Sequence, residues 1–172
     1  MLIDPENLTR RYGAVERTAP MYSIRRYTIE DVPIIVHNIE VYCANHPFYK
    51  TLKFSREKLI WVLDQNKDNE DFYANLTVHP SDGPVAGLGA MTSGYAISQE
   101  RYSQDIFQFV KNEYRDGKAW NMLITDFVNW SASKGLHNAQ LSFTDRSRDA
   151  VLARALERWG FTYLGPKYIK VL

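Results

Sequence analysis

Cysteine is nearly absent from this chain: Cys43 is alone among 172 residues, so no internal disulfide can form and nothing marks an oxidising compartment. No apolar run reaches the roughly eighteen residues of a membrane-spanning helix, and no charged-then-apolar leader opens the sequence, which reads as soluble and cytoplasmic. Excess charge is missing too. With 21 basic and 20 acidic residues the formal net charge is +1, which gives no reason to expect nucleic acid or an anionic membrane as partner, so any anion binding must be local. Histidines 37, 46, 79 and 137 lack the pairwise spacing of a metal site, and one cysteine cannot complete it, which argues against a zinc or iron centre. Internal repeats and low-complexity segments are also lacking.

What remains is a chain with 45% hydrophobic and 13% aromatic content, enough to close one sizeable core. Residues 1–20 lack apolar periodicity and carry Asp4-Pro5 and Ala19-Pro20 breaks, so they read as an N-terminal arm suited to docking on a larger assembly; residues 21–172 read as one domain. Tyr22 to Tyr27 alternates as a strand. Thr28 and Asp31 have capping-box spacing ahead of a helix whose apolar residues Val32, Ile35, Val36 and Ile39 share one face, and Asn45-His46-Pro47 ends it. Ser55 caps a second helix. Two strands, Phe72 to Val78 and Pro84 to Tyr95, flank a Ser-Asp-Gly turn, and Ile106 to Val110 is the next strand. A helix through Leu123, Ile124, Phe127 and Val128 follows, then a strand at Asn138 to Phe143, a helix at Ser147 to Trp159, and strands at Phe161 to Leu164 and Tyr168 to Val171. The order βααβββαβαββ implies an α+β fold whose sheet is antiparallel in its first half and parallel in its second.

The most informative stretch is 110–135, where a strand ending at Val110 feeds a short basic turn that opens a helix. The first N–H groups of a helix lack intrahelical partners and carry the positive end of the macrodipole, so this junction suits a phosphate. Arg115 and Lys118 add charge, Gly117 permits close backbone approach, and Gly135 stands where a helix stop is expected.

This stretch resembles the diphosphate-binding segment of the GNAT superfamily, the acyl-coenzyme A-dependent N-acetyltransferases. Laid without gaps, Val110, Glu113, Tyr114, Arg115, Leu123, Ile124 and Gly135 fall on family positions, while Lys118 and Trp120 replace the small residues of the signature. A slipped reading takes Gly117 and Ala119 as the small pair and puts Tyr114 at the Arg/Gln position. Ala150 through Phe161 is similar to the family's helix that ends at Gly-Phe. The resemblance implies a GNAT fold, a central mixed twisted sheet of six to seven strands flanked by about four helices, and acetyl-CoA as cofactor. It implies cofactor contacts from Val110, Asn112, Arg115, Gly117, Lys118, Ala119, Trp120 and Asn121, with Ser147 and Arg148 at the start of the last long helix. For proton transfer it leaves Asp105 and Glu113 as candidate bases and Tyr163 and Tyr168 as candidate acids, since the family's usual tyrosine is replaced in the Ala155-Leu156 neighbourhood. The acceptor amine would enter beside Phe48 and Tyr49, in the loop Ala44 to Phe54, with His79 as a further contact. Two functions stay open: acetyl transfer to a primary amine of a protein or small molecule, or a GNAT-like protein that has lost catalysis and serves as a binding or structural component, as in degenerate forms carried by tailed phages. Homodimers are common in the family.

Overall fold

A computed structural model describes residues 22–46, 49–142 and 149–162. In chain order the elements are β1 (Ser23–Arg26), α1 (Val32–Asn45), α2 (Arg56–Asn66), β2 (Phe72–His79), β3 (Gly83–Gly94), β4 (Arg101–Val110), α3 (Lys118–Ser133), β5 (Asn138–Gln140) and α4 (Asp149–Arg158). The chain forms two units, residues 1–140 with the five described strands and residues 141–172 with α4. The sheet runs β1-β2-β3-β4-β5, antiparallel as far as β4 and parallel between β4 and β5. The expected mixed α+β sheet is present with five strands among the described residues. Of the two further strands expected after α4, Phe161 and Thr162 form none, and the rest lie outside the described residues.

Alternation along β2 and β3 separates two packed faces. On one, Phe72, Ala74 and Leu76 join Phe107 and Phe109 of β4, and Tyr27, Val32, Ile35, Val36 and Leu63 complete the cluster from β1's end, α1 and α2. Gly87 and Gly89 lie opposite Phe109 and Phe107 across the β3–β4 ladder, and a Cβ on either glycine would fall inside the facing phenyl ring. Glycine is therefore required by the rings, which lie flat across β3 where side chains would otherwise stand.

The opposite face is fastened to α3 by directional bonds. Tyr73 Oη and Asn75 Nδ2 both donate to Asp126 Oδ2 at 2.7 Å, Thr77 Oγ1 donates to the Ala119 carbonyl at 3.0 Å, and the Ser103 and Ser131 hydroxyls meet at 2.7 Å. Burial, with Asp126 adding to it, pushes the Tyr73 hydroxyl far up, so it serves as a permanent donor.

Local signals account for most boundaries. Ser55 Oγ accepts the Lys58 N–H at 3.1 Å, as its N-cap position demands. Thr28 and Asp31 do pair, with the Thr28 N–H donating to Asp31 Oδ2 at 2.7 Å, but they enclose a single 3-10 turn (Ile29–Asp31), and α1 starts after it with Pro33 in its first turn. Arg25 holds the same buried carboxylate with two bonds of 2.6 and 2.9 Å. Burial alone would raise Asp31, and the bonds from Arg25 and Thr28 outweigh it and hold the carboxyl below its usual range. Arg26 binds β1 to the end of α2 by donating to the carbonyls of Asn66, Lys67, Asn69 and Phe72.

Candidate active site

The sheet is incomplete at one place among the described residues. β5 pairs with β4 only from Tyr102↔Asn138 to Gln104↔Gln140, whereas β4 continues to Val110. From Asp105 onward, the ladder of β4 among the described residues is the one with β3. At the same point the register with β3 slips, Ala90 facing Asp105 and Gly89 facing Phe107, so that Ile106 is the extra residue of a β-bulge. A bulge bends and twists the strand locally, and it falls next to the point where the described pairing with β5 ends. Asp105 therefore occupies the middle of a ten-residue strand, at the parting, and not the strand start that the sequence suggests.

β4 leads into a 3-10 turn at Asn112–Tyr114 and then into α3. Gly117 takes the left-handed φ of 90° that caps the helix, which answers why glycine stands there. Ala119 is fully buried beneath β2, and Trp120 is half-buried in the first turn. Of the first-turn amides, the Lys118 N–H is taken by Asp116 Oδ1 at 2.9 Å, and the Asn121 N–H closes the turn on the Gly117 carbonyl at 2.9 Å. Lys118 Nζ also lies 3.7 Å from Asp116 Oδ2. Asp116 thus places the protein's own carboxylate at the helix N-terminus, a feature that sequence reasoning overlooked although the Asp-x-Lys spacing before a helix was a signal for it. Arg115 is exposed and its Nε reaches the Val110 carbonyl at 3.4 Å. Asn112 and Glu113 are exposed on the connecting turn, beyond the strand end.

The other expected residues divide clearly. His79 belongs to the β2–β3 hairpin, where its ring packs on Tyr22 and Tyr114 at centroid distances of 5.6 and 5.4 Å and its Nδ1 lies 3.3 Å from Asp82 Oδ2. Tyr114 donates to the same carboxylate. His79 is therefore a neighbour of the turn before α3. Tyr49 follows α1, and the charge of Asp105 acts on its hydroxyl, which burial first and Asp105 second push above the usual phenol range. Phe48, Ser147, Arg148, Tyr163 and Tyr168 lie outside the described residues. Burial raises the Cys43 thiol, which disfavours a thiolate nucleophile. Among the described residues no group of three His, Cys, Asp or Glu side chains is arranged to hold a metal, and no helix is long and apolar enough to cross a membrane.

No family model and no curated protein matches the sequence. Solved structures do. An aminoglycoside acetyltransferase from an uncultured soil metagenomic sample, in complex with sisomicin, matches 88% of this chain and 97% of its own at 18% identity and a TM-score of 0.65. A predicted acetyltransferase with acetyl-CoA from Clostridium acetobutylicum matches 88% and 96% at 12% identity, TM-score 0.66, and a GNAT family acetyltransferase from Staphylococcus aureus 88% and 99% at 14%, TM-score 0.57. The chain has the GNAT acetyltransferase fold. Val110, Arg115, Gly117, Lys118 and Ala119 follow one another here from the end of β4 through the turn into the start of α3.

The residues present suit a nucleotide diphosphate attached to an amide-rich arm. The α3 N-terminus offers its dipole, with Arg115 and Lys118 as the adjacent cations, and it follows directly on the part of β4 beyond its described pairing with β5. Asp116 opposes an anion there.

Proposed function

We propose that this protein transfers an acetyl group from acetyl-coenzyme A to a primary amine by direct attack, without a covalent enzyme intermediate. The observation that carries the reading is the end of the β4–β5 ladder, among the described residues, at Gln104 beside the bulge, after which β4 runs on through a 3-10 turn to the capped N-terminus of α3. The bound thioester supplies an activated carbonyl: the amine nitrogen bonds to its carbon, the carbon–sulfur bond breaks, and the electron pair leaves on sulfur. This chain's part is to hold the donor along β4, orient the amine, and move protons. Asp105, at the parting, accepts the proton that the acceptor ammonium must lose. Tyr49, kept protonated by burial, is the described hydroxyl suited to return a proton to the departing thiolate. Glu113, exposed beyond the strand end, is the less suitable base.

Isothermal calorimetry with acetyl-CoA tests the reading. Binding in the micromolar range is expected, weakened about tenfold by Lys118→Glu and strengthened several-fold by Asp116→Asn, which removes the competing carboxylate. Absence of binding at millimolar acetyl-CoA would leave the fold with a non-catalytic role.

A further inference from the structure

The turn that leads into α3 is fastened to the β2–β3 hairpin by a cluster of side chains, and the inference from it rests on the acetyl-transfer reading. β2 ends at His79 and β3 begins at Gly83, whose φ of 67° closes the hairpin. At the tip the Ser81 N–H donates to His79 Nδ1 at 3.3 Å, and Asp82 Oδ2 lies 3.3 Å from the same nitrogen. Tyr114, from the 3-10 turn after β4, donates its hydroxyl to Asp82 Oδ2 and lays its ring on the imidazole at a centroid distance of 5.4 Å. Tyr22, buried ahead of β1, closes the cluster edge-on, its ring 5.6 Å from His79 and 6.2 Å from Tyr114. Three segments far apart in the chain thus meet at Tyr114.

Tyr114 stands immediately before Arg115. Residues 115–118 run from it to Ala119, whose carbonyl accepts the Thr77 hydroxyl of β2 at 3.0 Å. The stretch offered to a diphosphate is therefore held at both ends by β2 and its hairpin: by Asp82 and His79 before it, by Thr77 after it. Backbone bonds in the turn are local, from the Tyr114 N–H to the Lys111 carbonyl at 3.0 Å and from the Arg115 N–H to the Asn112 carbonyl at 3.4 Å. They shape the turn without aiming it. The Lys111 N–H, bonded to the Val85 carbonyl at 2.9 Å, extends the pairing with β3 by one residue, and beyond it the Tyr114 ring and hydroxyl bring the turn back onto the hairpin. An anion seat made of backbone N–H groups and exposed cations binds best when its backbone is fixed in advance, because otherwise binding must order it at a cost in affinity.

We infer that Asp82 and His79 are positioning residues for the cofactor: by holding Tyr114 they preset residues 115–118 for the diphosphate of acetyl-CoA. Asp82 does this although it is itself an anion. Charge alone would make its removal strengthen the binding of a nearby diphosphate. A loss of affinity in a folded variant therefore has the sign that positioning gives and charge does not.

Calorimetry with acetyl-CoA on the full chain tests this, with urea melts alongside to establish that each variant is folded. Asp82→Ala and Tyr114→Phe should each weaken binding about fivefold. Asp82→Asn drops the charge but keeps an oxygen for the Tyr114 hydroxyl, and should bind at least as tightly as the unaltered protein. His79→Ala, which removes the ring between Tyr22 and Tyr114, should weaken binding about threefold. In an Arg115→Ala background, Asp82→Ala should weaken binding less than about twofold, because the neighbouring cation that the fastening sets in place has gone. Unchanged or tighter binding in folded Asp82→Ala, or effects of Asp82→Ala and Arg115→Ala that simply multiply, would overturn the inference while leaving the cofactor reading in place. Absence of acetyl-CoA binding to the unaltered protein would remove both.

Discussion

The two faces of the sheet are held by different physics. Beneath α1 and α2, phenyl rings of Phe107 and Phe109 cover Gly87 and Gly89 in an apolar layer whose strength is contact area and shape. Beneath α3, hydroxyl, carboxamide and carboxylate groups of Tyr73, Asn75, Thr77, Asp126, Ser103 and Ser131 pair at fixed distances. Apolar packing tolerates small rotations of a helix, whereas a set of hydrogen bonds spread along its length does not. The difference matches what each layer has to do. Under the acetyl-transfer proposal α3 presents its N-terminus to a diphosphate and must point correctly, while α1 and α2 mainly supply a core.

The largest expected effect comes from the apolar face. Gly89→Ala should destabilise by about 3 kcal/mol, because a buried phenyl ring must move, and denaturant melts would show it. The same variant should keep its acetyl-CoA affinity under conditions where it is fully folded. Next, Asp126→Ala strands the Tyr73 hydroxyl and the Asn75 amide and should destabilise by about 2 kcal/mol. It should also weaken acetyl-CoA binding by about threefold or more through misaiming of α3. If both folded variants bind alike, the polar face has no orienting role and the contrast fails.

The smallest effect is expected at the start of α1, where Asp31→Asn should remove about 1 kcal/mol at neutral pH, since Arg25 is partly exposed and its pairing is screened. The sign with pH is fixed by the lowered carboxyl. Its stabilisation is complete above the unfolded carboxylate value near about 4 and disappears as pH falls through the lower folded value. The gap between wild type and Asp31→Asn should therefore close in acid, and urea melts along a pH series would reveal it. A constant gap would mean that the carboxylate's charge contributes nothing.

Where patterning and chemistry coincided, the fold was legible. Ser55, Thr28 with Asp31, the Ser-Asp-Gly turn and Gly135, whose φ is 66°, all mark boundaries through local chemistry, and the order of elements through α4 follows. The first half of β4 was not legible, because Arg101 to Asp105 are polar apart from Tyr102 and gain their extended form from ladders with β3 and β5. Asn138 to Phe143 alternates, yet the strand stops at Gln140, since pairing with β4 stops there. In the site, Gly117 and Lys118 could be placed from the sequence because a helix start has local signals. The influence of the Asp105 charge on Tyr49 could not, as the two residues are far apart in the chain.

The bulge at Ile106 has a consequence for solubility. A flat, regular edge with unused backbone groups is an invitation to strands from other molecules. By twisting β4 midway, and by setting a carboxylate at the twist, the chain makes this strand a poor template for an intruding one.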